Sequence, residues 1–237
     1  MPKTYVLVHG LFHGGWCWKR VADRLRAAGH HVYTPTQTGL GERSHLLSAD
    51  IGISLFIEDL VNVIEFEELS DIILVGHSFG GMAITGVADA MPERIRHIVY
   101  LDAIVPQDGQ SVFSKLPEHV VNERMKAAYD HDGGKSFPPF HPEAFAVTDP
   151  EDVEWLKRRL TPHPVKTYVE PISLKNPPAH KLNRTYIRCT NPLYAPMETT
   201  ANWIKQQTGW NYIELAEGHS AAITAPARLA EILLDIG

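Results

Sequence analysis

A serine held between glycines, Gly76-His77-Ser78-Phe79-Gly80, is the stretch of this sequence best suited to chemistry. It follows the apolar run Ile72-Ile73-Leu74-Val75 and precedes Gly81-Met82-Ala83-Ile84-Thr85-Gly86-Val87, which reads as a helix. Five loosely specified positions recur by chance, but between a buried strand and a helix they describe a tight, strained turn. The turn lifts the Ser78 hydroxyl off the sheet edge and points the Phe79 amide at the same space. A serine hydroxyl is a poor nucleophile until a base takes its proton, so a histidine must come within hydrogen-bond reach. In chains built around such a turn the histidine comes last. Glu217-Gly218-His219-Ser220 follows the final strand pattern Tyr212-Ile213-Glu214-Leu215, and His219 is the expected base. Charge developing on a carbonyl oxygen needs two donors. The Phe79 amide is one; the Leu11 amide, on the loop His9-Gly10-Leu11 after the first strand, is the other. His9 itself reads as a brace for that loop. The chemistry within reach of this set is acyl transfer.

These groups lie far apart in the chain, so a regular scaffold must bring them together. Strand patterns at 5–8, 31–34, 72–75, 95–101, 184–189 and 211–215 alternate with helical spacing at 16–28, 55–66, 79–91, 197–207 and 222–234. A βαβα alternation implies a parallel sheet with helices on both faces. Residues 105–182 break the rhythm, being rich in proline and aromatics and too long for a simple connection. They are expected to form a cap over the edge where Ser78 emerges, inserted into a core made of 1–104 and 183–237. Short helices are expected within the cap at 120–129 and 150–160.

With 237 residues, 44% hydrophobic and 21% charged, the chain has the composition of a soluble globular protein, long enough for one substantial core. A net charge of −6 and the lack of any Lys/Arg cluster argue against nucleic acid as a partner. No apolar stretch has membrane-spanning length and no signal-peptide pattern occurs, so a cytoplasmic protein without membrane attachment is expected. Two cysteines, Cys17 and Cys189, supply neither a disulfide framework nor a four-ligand zinc site. The 13 histidines are scattered without metal-ligand spacing, so no metal is expected. A homodimer is the assembly to test.

His9-Gly10, His13-Gly14-Gly15-Trp16 with Trp18, Gly76-His77-Ser78-Phe79-Gly80-Gly81 and Gly218-His219 together resemble one group of α/β-hydrolases. That group holds the plant methylesterases and hydroxynitrile lyases, with the salicylate-binding and polyneuridine aldehyde esterases and related bacterial esterases. The resemblance spans nearly the whole sheet region and is weakest in the cap. It implies an α/β-hydrolase fold: a mostly parallel sheet, helices on both faces and a small helical cap. It also implies a cofactor-free enzyme with a largely apolar, enclosed pocket. The family's acid usually follows the next-to-last strand, a position that falls here on Pro192, and no Asp or Glu lies between Cys189 and Met197. The strand after the serine helix ends Tyr100-Leu101-Asp102-Ala103, where the plant enzymes carry a small or amide residue. Asp102 is therefore expected to have taken over, fixing the His219 tautomer and stabilising the imidazolium without accepting its proton. The competing reading is a loop aspartate capping a turn before Pro106.

The lyase pattern places a threonine after the first-loop histidine, a glutamate before the nucleophile and a lysine after the base. Here those positions hold Gly10, His77 and Ser220, so a leaving cyanide would lack its cation. The expected function is a serine carboxylesterase acting on small, largely apolar esters of methyl or aryl type through an acyl-enzyme. A lyase, or a small-ligand receptor on a hydrolase scaffold, is the alternative. Phe12, Tyr129, Phe137, Phe140 and Trp155 are the pocket candidates. Lys and Arg are sparse near the motifs, which disfavours a highly charged substrate.

Overall fold

The computed structural model describes residues 1–236, and six parallel strands form its frame. The core elements, in chain order, are β1 (Thr4–Val8), α1 (Lys19–Ala27), β2 (His31–Tyr33), α2 (Ile53–Phe66), β3 (Ile72–His77), α3 (Gly80–Ala90) and β4 (Ile95–Leu101). Between β4 and the next sheet strand come α4 (Glu118–Asp132), β5 (Ser136–Phe137), α5 (Pro150–Lys157), β6 (His163–Pro164) and α6 (Lys166–Val169). β7 (Asn183–Cys189), α7 (Glu198–Lys205), β8 (Asn211–Leu215), α8 (Ala221–Thr224) and α9 (Pro226–Asp235) complete the chain. The sheet runs β2-β1-β3-β4-β7-β8, and every pairing in it is parallel. β5 and β6 form a separate antiparallel ribbon.

Strands buried on both faces read as continuous apolar runs, and β3 is buried at all six positions. Alternate residues divide between two cores. Val6, Val8, Ile72, Leu74, Ile98 and Tyr100 face the α2–α3 side, whereas Tyr5, Leu7, Ile73, Val75, Val99 and Leu101 face α1 and α9. That division is the period-two geometry of a strand. α3 crosses close enough to α2 that a Cβ on Gly86 would lie 2.2 Å from Ile57 Cδ1. A larger residue there would require the Ile57 side chain to move.

Two expected helices are subdivided. The first opens with a 3-10 turn, Gly15–Trp18, before α1 begins at Lys19. The last is split at Ala225-Pro226, because proline has no N–H to continue the ladder and starts a new helix instead.

Parallel strands end on one edge, and the topology decides who meets there. β1, β3 and β4 are neighbours, which sets Leu11, Ser78 and Asp102 side by side just past their strand ends. β8 lies beyond β7, so the loop carrying His219 must reach back across the end of β7. Among the described residues, no helix is long and apolar enough to cross a membrane.

Candidate active site

Ser78 has φ = 55°, the left-handed region that an L-residue adopts only when its surroundings hold it. Three backbone hydrogen bonds do so. The Ser78 amide donates to the Leu101 carbonyl at 3.1 Å, and the Ser78 carbonyl accepts from Ile104 at 3.0 Å and Gly81 at 3.2 Å. The glycines of the motif are there for space. A Cβ at Gly80 would sit 2.7 Å from the His9 carbonyl oxygen, and one at Gly81 would sit 2.0 Å from that of Ile104. Strand, helix and the loops after β1 and β4 therefore converge on one serine.

The His219 Nε2 lies 2.9 Å from Ser78 Oγ, and its Nδ1 lies 2.7 Å from Asp102 Oδ2. An ionised carboxylate only accepts, so Nδ1 carries the hydrogen and Nε2 keeps a lone pair for the serine hydroxyl. His77 donates from Nε2 to the His219 carbonyl at 2.8 Å, tying the base loop to the end of β3. The Tyr194 ring stacks on the imidazole with centroids 3.9 Å apart. Tyr194 stands in the loop after β7.

Asp102 has a second partner that the sequence reading missed. Arg188 Nη1 donates to Asp102 Oδ1 at 2.5 Å, and its Nη2 donates to the Tyr194 carbonyl at 3.3 Å. Both side chains are almost wholly buried, Asp102 at 0% and Arg188 at 4% exposure. Burial would pull the guanidinium down, but the Asp102 carboxylate outweighs it and holds Arg188 above its ordinary value. The signal was present in the sequence: an arginine inside the apolar run 185–189 must find an anion. The register pairs Leu101 with Ile187, which places the next residues of the two strands, Asp102 and Arg188, together.

Neither the Leu11 nor the Phe79 amide donates to a protein acceptor among the described residues. Leu11 and Phe79 line the same cavity as Ser78, a space of about 220 Å³. Its apolar walls include Met82, Ile104, Leu116, Tyr168 and Trp203, drawn from α3, α7 and the segment between β4 and β7. A larger concavity of about 520 Å³, between β2 and α2, is an open surface groove without these groups.

The five pocket candidates lie elsewhere. Phe12 is buried against Phe140, Phe145 and His163. Phe137 packs on Phe113 and Tyr168, and Phe140 packs on Phe12 and Phe145. Both serve the interior of the segment over the sheet rather than its mouth. Tyr129 is 73% exposed on the outer side of α4. Trp155 packs edge-on against Trp16 beneath Arg20 and Arg159, on the α1 side. Nor is the site poor in cations, because Lys115 and Arg124 line the cavity and Arg188 adjoins Asp102.

Four further histidines surround the site without solvent: His9, His13, His77 and His163. The Gln37 amide donates to His9 Nε2 at 3.2 Å, so His9 Nδ1 donates to the Gly10 carbonyl at 2.8 Å. That bonding braces the loop and requires a neutral ring. Burial pushes His9 and His13 down to about 4, and His77 and His163 well below their ordinary value. Lowered folded-state values mean that the unfolded chain takes up protons first as pH falls below about 6.5. Stability is thus full above that pH and drains away toward pH 4. His9 and His13 alone should contribute on the order of 3 kcal/mol of loss per pH unit between roughly pH 6 and 4.5. Urea midpoints at pH 7.5 and 5.0 check this, and equal midpoints would contradict it.

Among the described residues, no three His, Cys, Asp or Glu side chains gather as a metal site. Cys17 and Cys189 are free and buried.

The family model for the alpha/beta hydrolase family matches residues 5–232. A carbendazim hydrolyzing esterase of Nocardioides sp. (strain SG-4G) is 40% identical over 243 residues, covering 99% of each chain. Methylesterase 7 of Arabidopsis thaliana is 28% identical, covering 99% of this chain and 96% of its own. Among solved structures, an extracellular alpha/beta-hydrolase from a Paenibacillus species, described as sharing structural and functional homology with tobacco salicylic acid binding protein 2, superposes with a TM-score of 0.87. It is 27% identical and covers 100% of this chain and 99% of its own. On the match over 5–232 and the full-length 40% identity, the chain belongs to the alpha/beta hydrolase family.

Proposed function

We propose that Ser78, His219 and Asp102 act as nucleophile, base and orienting acid in the hydrolysis of carboxylic esters. That the chain is a carboxylic ester hydrolase rests on its full-length relatives, which are named esterases. The assignment of roles rests on one observation, the unbroken line from Ser78 Oγ through both imidazole nitrogens to Asp102.

The mechanism follows from the hydrogen bonds. Ser78 Oγ attacks the ester carbonyl as its proton passes to His219 Nε2. The Leu11 and Phe79 amides receive the developing oxyanion. Asp102, with Arg188 on its other oxygen, stabilises the imidazolium through Nδ1 without taking its proton. Protonated His219 then gives its proton to the leaving alcohol. A water molecule, deprotonated by the same nitrogen, attacks the acyl-enzyme and frees the acid. The apolar wall of Met82, Ile104 and Trp203 supports a small acyl or aryl body in the cavity. Low polarity around the carbonyl strengthens the two amide donors. Free, buried thiols fit a cytoplasmic setting.

The test is pre-steady-state. Mixed with excess para-nitrophenyl acetate, the enzyme should release a burst of nitrophenol equal to its active-site concentration, and intact-mass analysis of the quenched protein should show one added acetyl. A linear trace with no acetylated protein, at any substrate concentration, would remove the covalent route. Carbendazim and simple methyl esters belong in the first substrate panel, given the relatives' names.

A further inference from the structure

Arg124 is the side chain that the ester-hydrolysis scheme leaves unused. It lies on α4, and it lines the cavity that holds Ser78. In a chain of net charge −6, the charged groups on that cavity wall are Arg124 and Lys115, with no carboxylate beside them among the described residues. The Arg124 guanidinium makes a single hydrogen bond among the described residues, Nη1 donating to the Tyr168 hydroxyl at 3.4 Å. Phe140 and Tyr168 hold it in place, with their ring centroids 5.3 and 5.6 Å from its central carbon. Burial pushes the Tyr168 phenol up, so it stays neutral and can donate. Tyr168 in turn stacks on Phe79, the neighbour of the nucleophile, at 5.5 Å and 7°. One aromatic ring therefore separates a fixed, unpaired guanidinium from the residue whose amide faces the reacting carbonyl.

An arginine packed between aromatic rings, with most of its five donors free, is shaped for a planar anion that accepts two parallel hydrogen bonds. The geometry points to a substrate that is itself anionic: an ester whose acyl or alcohol part carries a carboxylate, bound by Arg124 with Lys115 at the cavity wall. Arg124 is thus a specificity-determining residue. This rests on the ester-hydrolase reading and amends one part of it, the expectation of a largely apolar ester.

Two matched pairs of esters test it. Monomethyl glutarate against dimethyl glutarate places the charge on the acyl side, and para-carboxyphenyl acetate against para-cresyl acetate places it on the alcohol side. In the pair that matches the true orientation, the ratio of kcat/KM for the anionic ester to that for the neutral one should fall about 10- to 100-fold in Arg124→Met. Arg124→Lys should keep part of that ratio. A ratio that moves less than twofold in both pairs would overturn the assignment, because a merely structural arginine would depress both members alike. A measurement on the unmodified enzyme guards against a variant that fails to fold. The para-toluate anion should compete with para-cresyl acetate at least about 10-fold more tightly than para-toluamide does; equal inhibition overturns the proposal. No turnover of any of the four esters by the unmodified enzyme would sink the esterase reading itself, whereas turnover with an unmoved ratio sinks only the role of Arg124.

Discussion

Ser78→Ala should lower kcat for a reactive ester by at least about 10⁴-fold while leaving the thermal midpoint nearly unchanged. The size follows from the route. Without Oγ no acyl-enzyme can form, and the remaining catalysis comes from the Leu11 and Phe79 amides and from binding alone. The fold should tolerate the change, because the three bonds that hold residue 78 at φ = 55° use its backbone and not its side chain. Alanine at positive φ adds no more strain than serine already bears. A burst assay distinguishes lost chemistry from lost binding, since the variant should still bind substrate yet show no acetylated species. A variant with more than a tenth of normal kcat would remove Ser78 from the reaction.

Asp102→Asn carries the second large effect, about 10³- to 10⁴-fold in kcat, and Arg188 makes its direction clear. Arg188 can only donate, so the new amide must turn its oxygen toward Nη1 and its NH₂ toward His219. The imidazole then accepts at Nδ1 and carries its hydrogen at Nε2, facing Ser78 with nothing to receive a proton. Volume is conserved, but the buried guanidinium loses its counter-charge, and destabilisation of about 3–5 kcal/mol is the upper expectation. Kinetics should therefore be read well below the variant's own melting temperature. In Asp102→Asn with Arg188→Met, the amide is free to offer its oxygen to the imidazole, and part of the lost turnover should return. Near-normal kcat in Asp102→Asn alone would transfer the orienting role to another group.

The frame was legible because its signals are local. Strand runs such as Ile72–His77 are apolar throughout, and glycine spacing around Ser78 follows from contacts within a few ångströms of one turn. The sequence singled out Ser78, Asp102 and His219 from distant segments, and the structure places them in hydrogen-bond contact. Arg188 could have been found by asking what an arginine does inside a buried strand. The cavity wall could not. On α4, Arg124 and Tyr129 are five positions apart, which turns them about 140° from one another around the helix. One side reaches the cavity and the other faces solvent. That helix has acidic, basic and apolar residues mixed along it, so no clear stripe announces which side turns inward. Aromatics such as Phe137 and Phe140 were chosen by type, yet in this segment they build the interior that holds Arg124 and Tyr168 in place.

The carboxylate beside His219 stands at the end of β4, so the connection from Cys189 to α7 holds no acid of that kind. It supplies Tyr194 to the imidazole face, and then Pro196, Met197, Thr199 and Thr200 to the cavity, while the hydrogen-bonded Ser78, His219 and Asp102 follow other strands. Directed evolution could randomise 196–200 for new alcohol or acyl shapes without touching the groups that move protons.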